Sequence, residues 1–139
     1  MNAKVKWTGG LSFEATGDSG HAVRMDASKE FKGADSGSRP TELLLMALGA
    51  CTGMDVVSIL EKKRLAIDDF WVEVSAGKTD THPKMLKDFH VKFVLVGKKI
   101  PRKDVERAVE LSAEKYCTVG AMMKASTTVT HEVEIRESA

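Results

Sequence analysis

RPTELLLMALGACTGMDVVSIL, residues Arg39 to Leu60, is the most apolar stretch of the chain and holds Cys51, one of its two cysteines. Pro40 suits the first turn of a helix, where a missing N–H leaves nothing unpaired. Ser38 is the expected N-cap, and Glu42 sits near the positive end of the helix dipole. The helical pattern runs from Thr41 to about Arg64. Its first half, Leu43 to Ala50, is apolar on every face, which implies burial all round. Its second half is amphipathic, with Met54, Val56, Val57, Ile59 and Leu60 inward and Glu61 to Arg64 outward. One modest sheet cannot wrap such a helix, so a second chain is expected to help cover it. Gly49 costs about 1 kcal/mol relative to Ala in a helix interior. A second backbone or a ligand in close approach, or plain helix–helix packing, would account for it.

The remainder of the chain bounds the answer. It has 139 residues, 42% of them hydrophobic, which suits a single domain spanning residues 1–139. The net charge of +1, with basic and acidic residues interspersed, offers no stripe to neutralise phosphates, so nucleic acid is not an expected partner. The first ten residues carry no apolar stretch or cleavage site. No run is expected to reach the roughly 18 apolar residues of a spanning helix. A cytoplasmic location without membrane contact is the default expectation, and in a reducing compartment two cysteines are not expected to form a permanent bridge.

Outward from the helix, alternation marks strands. Val5 and Trp7 share a face, Gly9-Gly10 turns the chain, Leu11, Phe13 and Ala15 share the next face, and HAVRM returns as the third strand of a meander. DASKEFKGADSGSRP is a polar loop of a length that suits a flap or substrate-side segment. After the long helix, Phe70, Val72 and Val74 alternate, and DFHVKFVLVG is their partner strand. Pro101 opens a helix to about Tyr116 with Val105, Ala108, Val109 and Ser112 on one stripe. CTVGAMMKAS reads as a break and a short helix, and Val129, His131, Val133 and Ile135 share one face of a last strand. The order βββ-α-ββ-α-(α)-β defines an α+β class with a mostly antiparallel sheet. His131 is expected to be a hydrogen-bonded core histidine. The four histidines lack metal-ligand spacing, and no metal or cofactor is implied.

Cys51 and Cys117 lack CxxC spacing, and Cys51 lies too far inside its helix to feel the N-terminal dipole. Two buried, inert thiols are the plain reading. Against it, small residues flank Cys51 in LGACTG, leaving room beside the sulfur, and the polar surroundings of Cys117 in SAEKYCTV suit a sulfur that must be reached.

PTELLLMALGACT…DVVSIL followed by SAEKYCTVGAMM resembles the OsmC/Ohr family, the osmotically inducible protein C-like and organic hydroperoxide resistance proteins, and most closely its short branch. The resemblance covers essentially the whole chain. It implies an intertwined homodimer in which two long buried central helices lie between swapped sheets, with the active sites at the interface. It implies that Cys51 is the peroxidatic cysteine and Cys117 the resolving one. An organic hydroperoxide is then the substrate, and a dithiol the reductant. Leu45, Leu48, Met54, Met122 and Met123 are the candidate apolar walls. Well-known members use an arginine from the N-terminal hairpin and a glutamate directly after the proline. Here those places read TGDSGH and Thr41, which leaves Arg24, Arg39, Glu42 and Glu114 as candidate activating groups. Glu42 stands about 13 Å along the helix from Cys51, at 1.5 Å per residue, and reaches only a partner's cysteine if the helices cross antiparallel. A hydrophobic-ligand module on the same fold, and a thiol redox protein with no peroxide preference, are the alternatives.

Overall fold

Alternating apolar and polar side chains build two three-stranded sheets, ordered β1-β2-β3 and β4-β5-β6 in the computed structural model, which describes residues Met1 to Ala139. The chain divides into two compact units, Met1–Leu44 and Leu45–Ala139.

In the first unit, β1 (Ala3–Gly9), β2 (Ser12–Gly17) and β3 (Ala22–Met25) form the expected antiparallel meander. Gly9 and Gly10 turn the chain with φ of 112° and 55°, a region cheap only for glycine. The register aligns Trp7 with Phe13 and Met25, and Val5 with Ala15 and Val23, so these side chains share one face. That face is open in the single chain, where Trp7 is 63% and Val5 56% exposed.

The polar loop after β3 is fastened rather than free. Buried Asp26 accepts hydrogen bonds from the Ala27, Ala34 and Ser36 amides at 2.7, 3.2 and 3.1 Å and from Ser36 Oγ at 2.7 Å. The loop contains one 3-10 turn, Lys29–Phe31. Ser38 is not the helix cap. Its N–H donates to the Arg24 carbonyl and its carbonyl accepts from the Asp26 amide, so it is bridged to β3. The cap position falls to Arg39, whose N–H donates to the Glu42 carboxylate at 2.8 Å, the acidic half of a capping box.

Helix α1 (Pro40–Lys62) ends in a Schellman turn. Leu65 N–H bonds to the Leu60 carbonyl, Arg64 N–H bonds to that of Glu61, and Arg64 takes a φ of 57°. The expected burial of α1 all round does not hold within one chain. Leu48, Gly49, Thr52, Gly53, Val56 and Leu60 are buried, but Met46 and Met54 are open, Met54 by 71%. A single sheet covers one stripe of a cylinder, and the other apolar flank keeps no partner. By length and composition α1 is also apolar enough to cross a membrane, contrary to the expectation from the run alone. Its buried stripe belongs to a protein core.

In the second unit, β4 (Asp69–Lys78) pairs antiparallel with β5 (Leu86–Gly97), and β5 pairs parallel with β6 (Val129–Glu137). A parallel pair needs a crossover. Here α2 (Arg102–Leu111), a π turn (Ser112–Tyr116) and α3 (Thr118–Lys124) supply it. The inner sheet face joins Leu48, Val56 and Leu60 of α1 and Val105, Ala108 and Val109 of α2 in one core. His131 is half-buried there and, contrary to expectation, has no hydrogen-bond partner. Its ring stacks 6.1 Å from that of Phe93, and burial depresses its basicity. On the outer face Lys92 bridges Glu132 and Glu134 at 3.6 and 2.6 Å.

Two outcomes test these local features. Arg64→Gly removes a side chain from a left-handed position and should raise stability by about 1 kcal/mol, read as a higher urea midpoint at unchanged slope. The Asp26 carboxyl is held below its usual range, first by the Ser36 hydroxyl and then by the Ser36 amide. Its contribution is therefore complete above about pH 4, the unfolded carboxyl range, and is lost as pH falls through the lower folded value. Asp26→Asn should flatten that acid limb in a pH series of denaturation curves.

Candidate functional site

Residues on α1 advance about 100° each, so Gly49 and Gly53 fall on one face and Cys51 on nearly the opposite one. The glycine face meets β4. A Cβ on Gly49 would stand 3.0 Å from Val74 Cγ2, and one on Gly53 would stand 3.4 Å from Val72 Cγ2. The close neighbour that Gly49 admits is thus a strand's side chains, not a second helix. Cys51, Asp55 and Leu48 occupy one flank of the helix, and Met46, Ala50, Met54 and Val57 the other.

Cys117 comes to the first flank from the crossover. The π turn closes with a 2.8 Å bond from the Cys117 N–H to the Ser112 carbonyl, which tucks the next residue inward. Cys117 is 4% exposed, and this overturns the expectation of an accessible sulfur drawn from its polar sequence neighbours. It caps α3, its Sγ accepting the Gly120 N–H at 3.2 Å. Cys51 is half-buried, and its thiol lies within interaction range of the Cys117 thiol; both are free. Burial pushes the Cys117 thiol up to about 11. The Gly120 N–H opposes this, while the Cys51 thiol and the Asp55 charge add to it. Desolvation and like charge outweigh one hydrogen bond, so Cys117 is a neutral thiol at neutral pH.

Three further residues meet at the cysteines. Ser112 Oγ donates to Asp55 Oδ2 at 2.8 Å and lies 2.9 Å from Thr52 Oγ1. With the serine proton committed to Asp55, the Thr52 hydroxyl donates to Ser112. Thr52 and Ser112 are 1% and 0% exposed. Sequence reasoning passed over this set, although two signals mark it. Asp55 is the one charged residue between Glu42 and Glu61, and Ser112 continues the apolar stripe of α2 into the π turn. A polar group in either place needs a buried partner.

The other candidates have contacts of their own. Glu114 lines a groove with Glu110, Lys124 and His131. Arg24, Arg39 and Glu42 belong to the first unit. There Arg39 is paired with Asp35 and donates to the Gly37 carbonyl at 2.8 Å. Arg24 lines a cavity with Asp26 and Lys32. An apolar groove of about 760 Å³ lies between α1 and β4, lined by Leu45, Met46, Ala50, Met54, Phe70 and Val72 among others. Of the residues expected to wall a site at the cysteines, Leu45 and Met54 line this groove, and Leu48, Met122 and Met123 do not. Nor does Cys51, because it occupies the opposite flank of the helix.

Comparison with known proteins agrees with this architecture. The family model described as OsmC-like protein matches residues 33–132. Protein YhfA of Escherichia coli K12 is 37% identical over 135 residues, covering 97% of this chain and 98% of its own. The crystal structure of a hypothetical protein from Aquifex aeolicus VF5 superposes with a TM-score of 0.86 at 33% identity, over 99% of this chain and 97% of the other. An organic hydroperoxide resistance protein from Elizabethkingia anophelis shares the fold with a TM-score of 0.72 at 15% identity, over 96% and 94% of the two chains. By sequence, fold and the span of the match, this chain belongs to the OsmC-like family.

Proposed function

We propose that the protein is a cysteine-based thiol peroxidase that reduces organic hydroperoxides. The bonds through Ser112 that tie the Cys51 turn of α1 to the segment bearing Cys117 carry this reading, and the Cys51 thiol lies close enough to influence the Cys117 thiol. Cys51 attacks the terminal oxygen of the O–O bond, the alcohol departs, and a sulfenic acid is left on the sulfur. Cys117, held as a neutral thiol, is the poorer first nucleophile and engages afterwards. It condenses with the sulfenic acid to a disulfide, releasing water, and an external dithiol restores both thiols. The structural likeness to a hydroperoxide resistance protein supports the substrate class.

The working form is a homodimer. In its support, the first sheet leaves Val5, Trp7 and Phe13 open, and α1 leaves Met46 and Met54 open. A second copy would cover these faces. It would also bring the activating groups, for which Arg24, Arg39, Glu42 and Glu114 stay the candidates. The apolar groove favours a second reading, a module for a small hydrophobic ligand on the far flank of α1.

Single-turnover oxidation separates the two. Reduced protein is mixed with one equivalent of cumene hydroperoxide or hydrogen peroxide, and free thiols are counted with time. Both thiols should disappear fast with the organic peroxide, Cys51→Ser should be inert, and Cys117→Ser should stop at a trappable sulfenic acid. Thiols that survive as long as those of free cysteine would sink the peroxidase reading in favour of the ligand module.

A further inference from the structure

Ser112 touches both cysteine-bearing segments at once. Its carbonyl holds the Cys117 N–H at 2.8 Å, and its hydroxyl bonds to Asp55 and Thr52 at 2.8 and 2.9 Å. Thr52 directly follows Cys51, and Asp55 lies one helical turn beyond it, on the same flank. One residue therefore links the turn of α1 that carries Cys51 to the π turn that delivers Cys117. Neither link is incidental to packing. A serine that continues the apolar stripe of α2 and a lone carboxylate in the most apolar helix both cost stability unless each satisfies the other.

We propose that Thr52, Asp55 and Ser112 form a clamp of positioning residues for the disulfide-forming step, holding the Cys117 sulfur in register with Cys51. The role rests on the peroxidase reading for its physiological use, but the clamp acts on any oxidation that joins the two sulfurs. With peroxide, the Cys117–Cys51 S–S bond forms as the Cys51 S–OH bond breaks, and the hydroxyl leaves with the Cys117 thiol proton as water. With glutathione disulfide, the two protein thiols lose two electrons and two protons, and two glutathione thiols are released. The Lys124 ammonium, bonded to the Ala113 carbonyl at 2.8 Å, braces the same π turn from α3.

The test equilibrates full-length protein with mixtures of glutathione and its disulfide and measures the effective concentration of the Cys51–Cys117 pair. Ser112→Ala should lower that value about tenfold or more, since it frees a bond to a carboxylate and one to a hydroxyl. Ser112→Thr, which keeps the hydroxyl, should restore it. Thr52→Val, nearly isosteric, removes one link and should lower it about threefold to fivefold, and it decides the matter if Ser112→Ala does not fold. Against cumene hydroperoxide, Ser112→Ala should form sulfenic acid at the wild-type rate but close the disulfide about tenfold more slowly. An unchanged effective concentration in folded Ser112→Ala, or in Thr52→Val, overturns the clamp. If instead the wild type ignores peroxide, the peroxidase reading fails, and the glutathione measurement still decides the clamp.

Discussion

Gly49 and Gly53 let α1 lie so close to β4 that a Cβ on Gly49 would stand 3.0 Å from the Val74 side chain. Each glycine weakens the helix by about 1 kcal/mol relative to alanine. The contact is worth that cost because the same stripe buries Leu48, Val56 and Leu60, each contributing about 1.5–3 kcal/mol. Once this face is fixed against the sheet, helical geometry leaves no freedom for the rest. Cys51 and Asp55 must turn towards the crossover, and Met46 and Met54 must turn away from it. The placement of the thiol and the placement of the open apolar flank are two results of one packing decision.

The crossover answers from the other side. A parallel β5–β6 pair obliges the chain to travel over the sheet, and the π turn within that passage adds the residue that brings Cys117 inward. Burial then does chemical work. Cys117 is enclosed and burial pushes its thiol up to about 11, whereas Cys51 is only half-buried, so the two cysteines differ in their access to solvent. In the peroxidase reading proposed above, the half-buried sulfur on the helix reacts first and the enclosed one second.

Much of this was legible in the residues. Period-two alternation located β1, β2, β4 and β6, including the shared faces of Phe70 with Val72 and Val74, with β3 and β5 read as their partners, and the stripe of Val105, Ala108 and Val109 fixed the inner face of α2. The OsmC-like resemblance was legible too, because the two cysteine-bearing segments are specific. What escaped notice depended on tertiary contacts. Ser38 looked like a cap by type, but β3 claimed its backbone and moved the cap to Arg39. The π turn has no composition of its own, and its first residue, Ser112, is bonded to Thr52 and Asp55 of α1. The polar letters around Cys117 describe the outer side of that turn, whereas the sulfur lies on its inner side. The all-apolar half of α1 implied more cover than one chain supplies.

The most direct measurement of the central claim is peptide mapping, without reduction, of the protein oxidised by one equivalent of cumene hydroperoxide. The proposed pairing of the two thiols within one chain requires a single linked pair of peptides, one containing Cys51 and the other Cys117, in protein that migrates as a monomer under denaturing conditions. A cross-link between chains, or Cys51 carried to higher oxidation states while Cys117 stays a free thiol, would contradict it.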